Sequence, residues 1–253
     1  MNSMSLRAEI KRAVISRQFA IAVILGLFLF NRNTLPEMFQ YKLDDTHPLD
    51  LLSTSMAAST FSPFSPIFAL LPFSSSFVED YKVKFDKLIS ARIGVKKYIR
   101  NKIIAVAVSG AAVMGLIFSL SILVYILLAN GPFLIEDYAY MNGGAWYFLL
   151  QEKRVYLFYI VRISLAIVFG MVWAMAGLAF SVIYPNRYTA LIAPFVLFQM
   201  AWTYMGNSIF NPLYMLRGDF IGVGKGHFVY LIQTLNILIL STLSYLGMKW
   251  RLE

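Results

Sequence analysis

The chain contains no cysteine and only two histidines among its 253 residues. Without cysteine it can form no disulfide, no thiolate metal site and no cysteine nucleophile. His47 and His227 lie far apart in sequence, and neither has the second histidine and the glutamate that a zinc site requires. A GxSxG nucleophile elbow is also missing. We therefore expect that the chain is not an enzyme and that it binds no metal or other cofactor itself.

Charge is scarce as well, because charged residues make up 14% of the chain and hydrophobic residues 59%. A soluble domain is typically about 25% charged and about 45–50% apolar. The mean hydropathy of +0.66 agrees with this departure. The composition predicts an all-α integral membrane protein whose length is counted in spans of about 20 apolar residues each.

Six apolar stretches can each cross a bilayer, and together they predict a single transmembrane domain over residues 1–253 with six helices. They lie at about 15–30, 57–77, 103–128, 155–183, 188–209 and 227–248. The basic segment 1–17 precedes them and has apolar residues at helical spacing, which predicts an amphipathic helix at the membrane interface. No small-residue cleavage site follows Phe30, so the first span is expected to be retained.

Local composition distinguishes three of these spans. Pro63, Pro66 and Pro72 lie in the second span, and proline removes a helical hydrogen bond. We expect that span to be kinked and to face protein or a cavity, where other groups satisfy the freed carbonyls. The third and fourth spans carry small residues at helical spacing, which allow close helix contact. These residues are Ala111, Gly115 and Ser119 in the third span and Gly170, Ala174 and Gly177 in the fourth.

The distribution of charge predicts the orientation of the chain. With six spans, both termini, the segment 78–102 and the turn 184–187 lie on one side, and this side holds 15 of the 22 basic residues but only five of the 13 acidic ones. The positive-inside rule therefore predicts that the N- and C-termini are cytoplasmic. The segments 31–56, 129–154 and 210–226 are expected outside. Because topology explains the basic excess, nucleic acid is not expected as a partner.

The spans contain almost no charge of their own. None of the six contains Asp or Glu, and Arg162 in the fourth span is their single charged residue apart from Arg17, which the first span shares with the basic N-terminal segment. Proton or sodium coupling usually needs carboxylates within spans, so an ion-coupled secondary carrier is disfavoured. Arg162 lies near the outer end of its span, and we expect its side chain to extend outward to the interface.

The run GDFIGVGKG at 218–226 is similar to a phosphate-binding loop only superficially. Its spacing lacks the first glycine and the final Ser or Thr of a Walker A motif, and no strand precedes it. We expect a flexible or re-entrant outer turn, and no nucleotide site on this chain.

The segment 78–102 combines eight basic residues with a periodic apolar pattern. Tyr81, Phe85, Leu88 and Ile89 fall on one face of a helix that Gly94 can end. Such a face on a cytoplasmic loop can enter a groove on a partner protein, or it can lie on anionic lipid. Physical reasoning alone leaves both possibilities open.

The layout resembles the permease subunits of bacterial ABC exporters of the ABC-2 type. The resemblance comprises six spans, an amphipathic N-terminus, a broken second span and a charged loop. The loop begins with Glu79-Asp80-Tyr81, continues through Arg92-Ile93-Gly94-Val95-Lys96-Lys97-Tyr98, and enters the third span at Lys102. Many members have proline after the arginine, where this chain has Ile93.

The resemblance implies a coupling helix near 81–92 that docks into a separate ATPase. The implied docking residues are Glu79, Asp80, Tyr81, Phe85, Leu88, Ile89, Arg92 and Gly94. Two ATPase copies would carry the ATP and Mg²⁺, and a second permease chain, identical or homologous, would complete the assembly in the bacterial plasma membrane. The second and fifth spans would line a path for a hydrophobic or amphipathic cargo, with Phe64, Phe68, Phe198 and Trp202 as candidate lining residues.

Two alternatives have different physical requirements. The outer segment 133–148 is rich in aromatic residues, as a membrane protein that binds a peptide or lipid without pumping it would require. Such an immunity or sensor protein would need no ATPase. An ion-coupled carrier would need a carboxylate within a span, and none of the six spans contains Asp or Glu.

Overall fold

The computed structural model describes residues 6–40, 43–57, 60–142, 144–206, 208–218 and 226–252. These ranges are mostly helical and contain no β-strand, which confirms the all-α prediction. The α-helices in chain order are α1 Leu6–Val14, α2 Arg17–Asn31, α3 Leu35–Gln40, α4 Pro48–Ala57, α5 Phe61–Leu70, α6 Ser76–Lys82, α7 Phe85–Ile93, α8 Val95–Leu128, α9 Tyr147–Gln151, α10 Val155–Ile183, α11 Arg187–Met205, α12 Pro212–Arg217 and α13 Gly226–Leu252. Short 3₁₀ helices occupy Leu43–Asp45 and Ile135–Met141.

Three of the described helices are long and apolar enough to cross a membrane. They are α8, α10 and α13, with 34, 29 and 27 residues. A fourth results if α1 and α2 count as one span, although these helices meet at an angle of 47°. Each of these helices overlaps a predicted span. The predicted fifth span is the 19-residue helix α11, which is not among the helices that meet the length and hydropathy requirement.

The predicted second span is broken, as its prolines indicate. Over residues 60–77 it consists of α5, a turn at 71–75 and the first two residues of α6. Pro66 lies inside α5 and has no N–H for the carbonyl of Ser62, and the hydroxyl of Ser65 donates to that carbonyl at 2.8 Å. Gln199 of α11 donates to the carbonyl of Pro63, also at 2.8 Å. The carbonyl that Pro66 frees is therefore satisfied by a neighbouring hydroxyl, as the sequence leads us to expect, and Gln199 joins the same part of α5 to α11.

The centre of the molecule is the contact between α8 and α10. Gly110 and Gly170 lie opposite each other, so close that a Cβ on either residue would collide with the carbonyl oxygen of the other. Gly170, Ala174 and Gly177 are buried, as predicted for the fourth span. In the third span the closest approach is made by Gly110, which precedes the predicted stripe by one residue.

Several predictions of loops were wrong, because apolar residues in these segments pack against the helical bundle. α8 begins at Val95, so the basic residues 96–102 are helical and continue into a helix that is long and apolar enough to cross a membrane. The segment 31–56 contains α3 and α4, and α4 buries Leu49, Leu52 and Met56 in the main core. Arg162 does not extend outward, because residues of α4 and of the 3₁₀ helix at 135–141 cover that part of α10. The arginine is only 3% exposed, and its guanidinium carbon lies 4.5 Å from the centroid of the Phe158 ring.

Contacts gather the connecting segments into two groups at opposite ends of α8. At its N-terminal end, Arg187 at the start of α11 pairs with Glu79 of α6 at 3.4 Å. Arg251 near the end of α13 donates to the carbonyls of Val182 and Ile183 at the end of α10. α1 joins the same group, so both ends of the described chain lie at one end of the bundle.

The second group lies at the C-terminal end of α8. The backbone N–H groups of Asn130 and Gly131 donate to the carbonyls of Leu43 and Thr46. Trp146 packs against Tyr230 near the start of α13, with ring centroids 6.1 Å apart. The two groups match the two sides into which charge divides the chain.

Candidate functional site

A buried ion cluster lies where the N-terminal end of the bundle meets the segment 76–102. Nζ of Lys102, near the start of α8, contacts Oδ2 of Asp80 in α6 at 2.6 Å and also the carboxylate of Glu9 in α1. Arg12 of α1 donates to Oδ1 of Asp80 at 2.9 Å. All but Arg12 are almost fully buried. The cluster therefore joins α6 and α8 to the N-terminal helix α1, which is far from both in sequence.

Aromatic rings enclose the cluster. The hydroxyl of Tyr98 donates to Oδ2 of Asp80 at 3.3 Å. Nζ of Lys102 lies 5.0 Å from the centroid of the Phe73 ring, in the break of the second span, and the guanidinium carbon of Arg12 lies 5.6 Å from the same ring. Cation–π contacts of this kind gain strength when water is excluded. The broken second span is thereby fixed to the same charges as α1, α6 and α8.

The local structure explains how α6 and α7 are presented. α6 ends at Lys82, and Lys84 adopts a left-handed conformation with φ of 55° that starts α7 in a new direction. Gly94, with φ of 85°, ends α7 and precedes α8, as predicted. The predicted continuous helix over 81–92 was therefore wrong, since Tyr81 belongs to α6 and Phe85 begins α7.

The predicted docking residues divide into an exposed and a buried set. Phe85 and Leu88 of α7 are 37% and 60% exposed, whereas Ile89 is 6% exposed and packs in the core at this end. Lys82, Lys84 and Lys87 are exposed around them. The outer surface of α7 thus combines two apolar side chains with a basic rim, and we call these five residues the α7 surface.

The remaining predicted docking residues serve mainly to hold the segment. Asp80 is the centre of the ion cluster, and Glu79 pairs with Arg187 and accepts from Ser75 at 3.3 Å. Tyr81 is half-buried, and the guanidinium carbon of Arg251 lies 5.7 Å from its ring centroid. Arg92 is exposed at the end of α7.

The predicted cargo-path residues lie mostly inside the protein. Phe68 and Phe198 are buried, and Phe198 packs edge-on against Trp173 with ring centroids 5.2 Å apart. Phe64 is exposed and stacks on Phe195 of α11. Trp202 is half-buried. The second and fifth predicted spans do meet, but through aromatic packing and not around an open path.

An apolar cavity of about 220 Å³ lies beside this packing, between α10, α11 and α13. Trp173, Met205 and Phe210 contribute to its wall, and Gln233 and Asn236 supply polar groups. The amide nitrogen of Gln233 donates to the carbonyl of Met215 at 2.9 Å. The cavity is suited to an apolar molecule that also accepts or donates a hydrogen bond.

Glu9, Arg12, Tyr98 and Lys102 were not among the site residues predicted from the sequence. Their charges are part of basic runs, and Lys102 is separated from Glu9 by 93 residues. One signal was present, because Glu9 is the only acidic residue of the segment 1–17.

Candidate metal ligands are not clustered in the described part of the chain. Among those residues, no group of three or more His, Asp or Glu side chains is placed to hold a metal ion. The sequence run at 218–226 lies largely outside the described residues, since residues 219–225 are not among them. The expected outer turn stays a prediction.

Comparisons with protein-family models, with curated proteins and with solved structures found no significant match to this chain. The function proposed below therefore depends on the geometry and on the resemblance of the sequence pattern.

Proposed function

We propose that this chain is the permease subunit of an ATP-driven ABC exporter of the ABC-2 type in a bacterial plasma membrane. In this proposal it crosses the membrane six times, with both termini in the cytoplasm. It binds no nucleotide itself, since two copies of a separate ATPase carry ATP and Mg²⁺. A second permease chain, identical or homologous, completes the assembly.

One observation carries the proposal: the α7 surface exposes two apolar side chains, yet the segment that bears it is anchored by buried charges. A helix that only rested on lipid would need no rigid connection to the bundle. Here Ile89 is buried beneath α7, and Asp80 in the preceding helix is held by Lys102 and Arg12. Such a helix can transmit a force from a partner into the membrane domain.

The route of that force follows the contacts. A displacement of α7 acts on α6 and Asp80, and through Lys102 on the start of α8. α6 is also continuous with the turn 71–75 of the broken span. Ser74 in this turn packs against Gly177 of α10, where a Cβ would come within 2.7 Å of the serine Cβ. Motion at the ATPase would thereby reach the helices that surround the proposed cargo path.

The proposed cargo is hydrophobic or amphipathic, such as a peptide, a lipid or a drug-like molecule. The aromatic contacts between α5 and α11 and the apolar cavity of about 220 Å³ support this class. Because Phe68 and Phe198 are buried, this arrangement corresponds to a closed path.

Site-specific cross-linking in the producing cells tests the proposal. A photo-reactive amino acid at position 88 is expected to capture a protein with a Walker A motif. The same group at Leu127, an exposed position near the other end of α8, should capture no such protein. Absence of an ATPase adduct at position 88, with the full-length protein present in the membrane, would contradict the proposal.

A further inference from the structure

A basic groove of about 550 Å³ lies between the first turns of α8 and the second half of α13. From α8 it is lined by Lys96, Lys97, Arg100, Ile103 and Ile104. These residues have the spacing i, i+1, i+4, i+7 and i+8, which places them on one helix face. With a rise of about 1.5 Å per residue, the face changes from cationic to apolar within about 12 Å.

The cations of the groove are available to a ligand. Lys96, Lys97 and Arg100 are exposed, and no acidic residue lines the groove. Among the described residues, no ion pair engages these three side chains. Lys102, on another face of the same helix, differs because it is fully buried in the ion cluster. α8 therefore carries two kinds of cation. Lys102 forms buried ion pairs within the chain, whereas the three groove cations form no ion pair among the described residues.

The opposite wall comes from α13 and is weakly polar. It consists of Ser241, Thr242 and Tyr245. The hydroxyls of Ser241 and Thr242 donate to the carbonyl of Leu238 at 2.9 and 2.8 Å. Their hydrogens are thus engaged within the helix, so the attraction for an anion comes from the α8 cations.

We propose that this groove binds an anionic phospholipid, with the phosphate group on the three cations and an acyl chain along the isoleucines. α8 is 34 residues long, about 50 Å, and exceeds the roughly 30 Å hydrocarbon core. Its uncharged part begins at Ile103, so Lys96 to Arg100 lie at the level of the lipid headgroups. A phospholipid matches both parts of the groove, whereas a free phosphate ion matches only the cations.

The lipid class follows from charge. Each Lys or Arg near a membrane surface attracts anionic lipid with about 1 kcal/mol, a factor of about five, and three cations act together here. A zwitterionic lipid with the same acyl chains gains little from them. The site is additional to the proposed transport function and requires only that α8 and α13 cross a membrane.

The test uses the purified full-length chain in mild detergent and counts bound lipids by native mass spectrometry. The groove variant K96Q/K97Q/R100Q is compared with K82Q/K84Q/K87Q, which removes the same charge from the α7 surface. Wild type and the α7 variant are expected to retain phosphatidylglycerol, and the groove variant to bind it at least about tenfold more weakly. Phosphatidylcholine should bind weakly to all three proteins.

A second variant tests whether lipid binding depends on the shape of the groove as well as on its charge. Thr242→Trp fills the groove without changing its charge, and it should also weaken phosphatidylglycerol binding while the lipid-free unfolding temperature stays at the wild-type value. Inorganic phosphate in large excess should not displace the lipid. Equal loss in both triple variants would overturn the proposal, because binding would then reflect general surface charge. Displacement by inorganic phosphate would overturn it in favour of a soluble phosphate ligand.

Discussion

Nζ of Lys102 lies 2.6 Å from Oδ2 of Asp80, and both side chains are almost completely buried. The two residues join the start of the longest helix to the segment that carries the α7 surface. Removal of one member of a buried ion pair is strongly destabilising, because its partner is left charged and without compensation.

Lys102→Met tests this connection. We expect the variant to lose about 3–5 kcal/mol of stability, since Asp80 and Glu9 would stay buried without their cation. Unfolding in mild detergent, followed by circular dichroism, measures the change. Lys97→Met is the matched control, because Lys97 is exposed and should tolerate the same substitution. Equal stability of the two variants would show that the ion cluster does not hold the segment in place.

The α7 surface should be dispensable for folding but necessary for transport. Leu88→Asp and Phe85→Asp add a charge at exposed positions, so we expect unfolding temperatures near the wild-type value together with abolished transport. Ile89→Asp places a charge at a buried neighbouring position and should reduce stability or yield. Normal transport by well-expressed Leu88→Asp and Phe85→Asp variants would rule out the α7 surface as a coupling site.

Because α8 and α10 are in close contact at Gly170, we predict that a larger residue at this position destabilises the fold. In Gly170→Ala the new Cβ would collide with the carbonyl oxygen of Gly110, and we expect a loss of about 1–3 kcal/mol from overpacking. Gly115→Ala is the control on α8, because its Cβ would meet the movable side chain of Ile167 at 3.0 Å. Thermal unfolding of both variants measures the difference. A wild-type unfolding temperature for Gly170→Ala would contradict the helix contact.

The buried carboxyl group of Asp86 should make the stability of the folded chain depend on pH. Asp86 lies in the first turn of α7 and is buried, and burial raises the pKa of its carboxyl group above the ordinary value of about 3.9. The nearby charge of Asp80 acts in the same direction. The folded chain therefore holds this proton more tightly than the unfolded chain. Stability falls as the pH rises from the ordinary pKa through the raised one.

Asp86→Asn removes this dependence. We expect the unfolding temperatures of variant and wild type to agree below the ordinary pKa and to diverge in favour of the variant as the pH rises to neutral. Asp137→Asn, at an exposed position, should show no such divergence. A variant less stable than wild type at neutral pH would mean that the Asp86 carboxylate is stabilised by contacts, and not penalised by burial.

Composition and periodicity predicted the helical fold, because long apolar runs and prolines determine the secondary structure of the segments that contain them. The run 155–183 coincides with α10, and Pro66 and Pro72 accompany the broken span. The turn between α6 and α7 could not be predicted in this way, since Val83 and Lys84 are not turn-forming residues and a positive φ is uncommon for a residue such as Lys84.

The candidate site could be predicted only in part from the sequence, because it too depends on contacts between helices. Phe85 and Leu88 were identified by helical spacing, and they are exposed. Spacing did not separate them from Ile89, because burial depends on which helices pack against α7. The ion cluster depends on a contact between the N-terminal helix and the segment 78–102, and a single sequence gives no indication that Glu9 meets Lys102. Arg162 was misjudged because the outer segments that cover it were expected to be loops.

Purification from the producing cells in mild detergent, followed by identification of stoichiometric partners, tests the proposed function most directly. We expect a protein with a Walker A motif to accompany the wild-type chain and to be lost from the Leu88→Asp variant, which should itself remain folded. The K96Q/K97Q/R100Q variant should keep this partner, because none of the residues of the α7 surface lines the groove. A homogeneous preparation of the wild-type chain without any ATPase would contradict the exporter proposal, and the outer segments would then be the surface on which to search for a ligand.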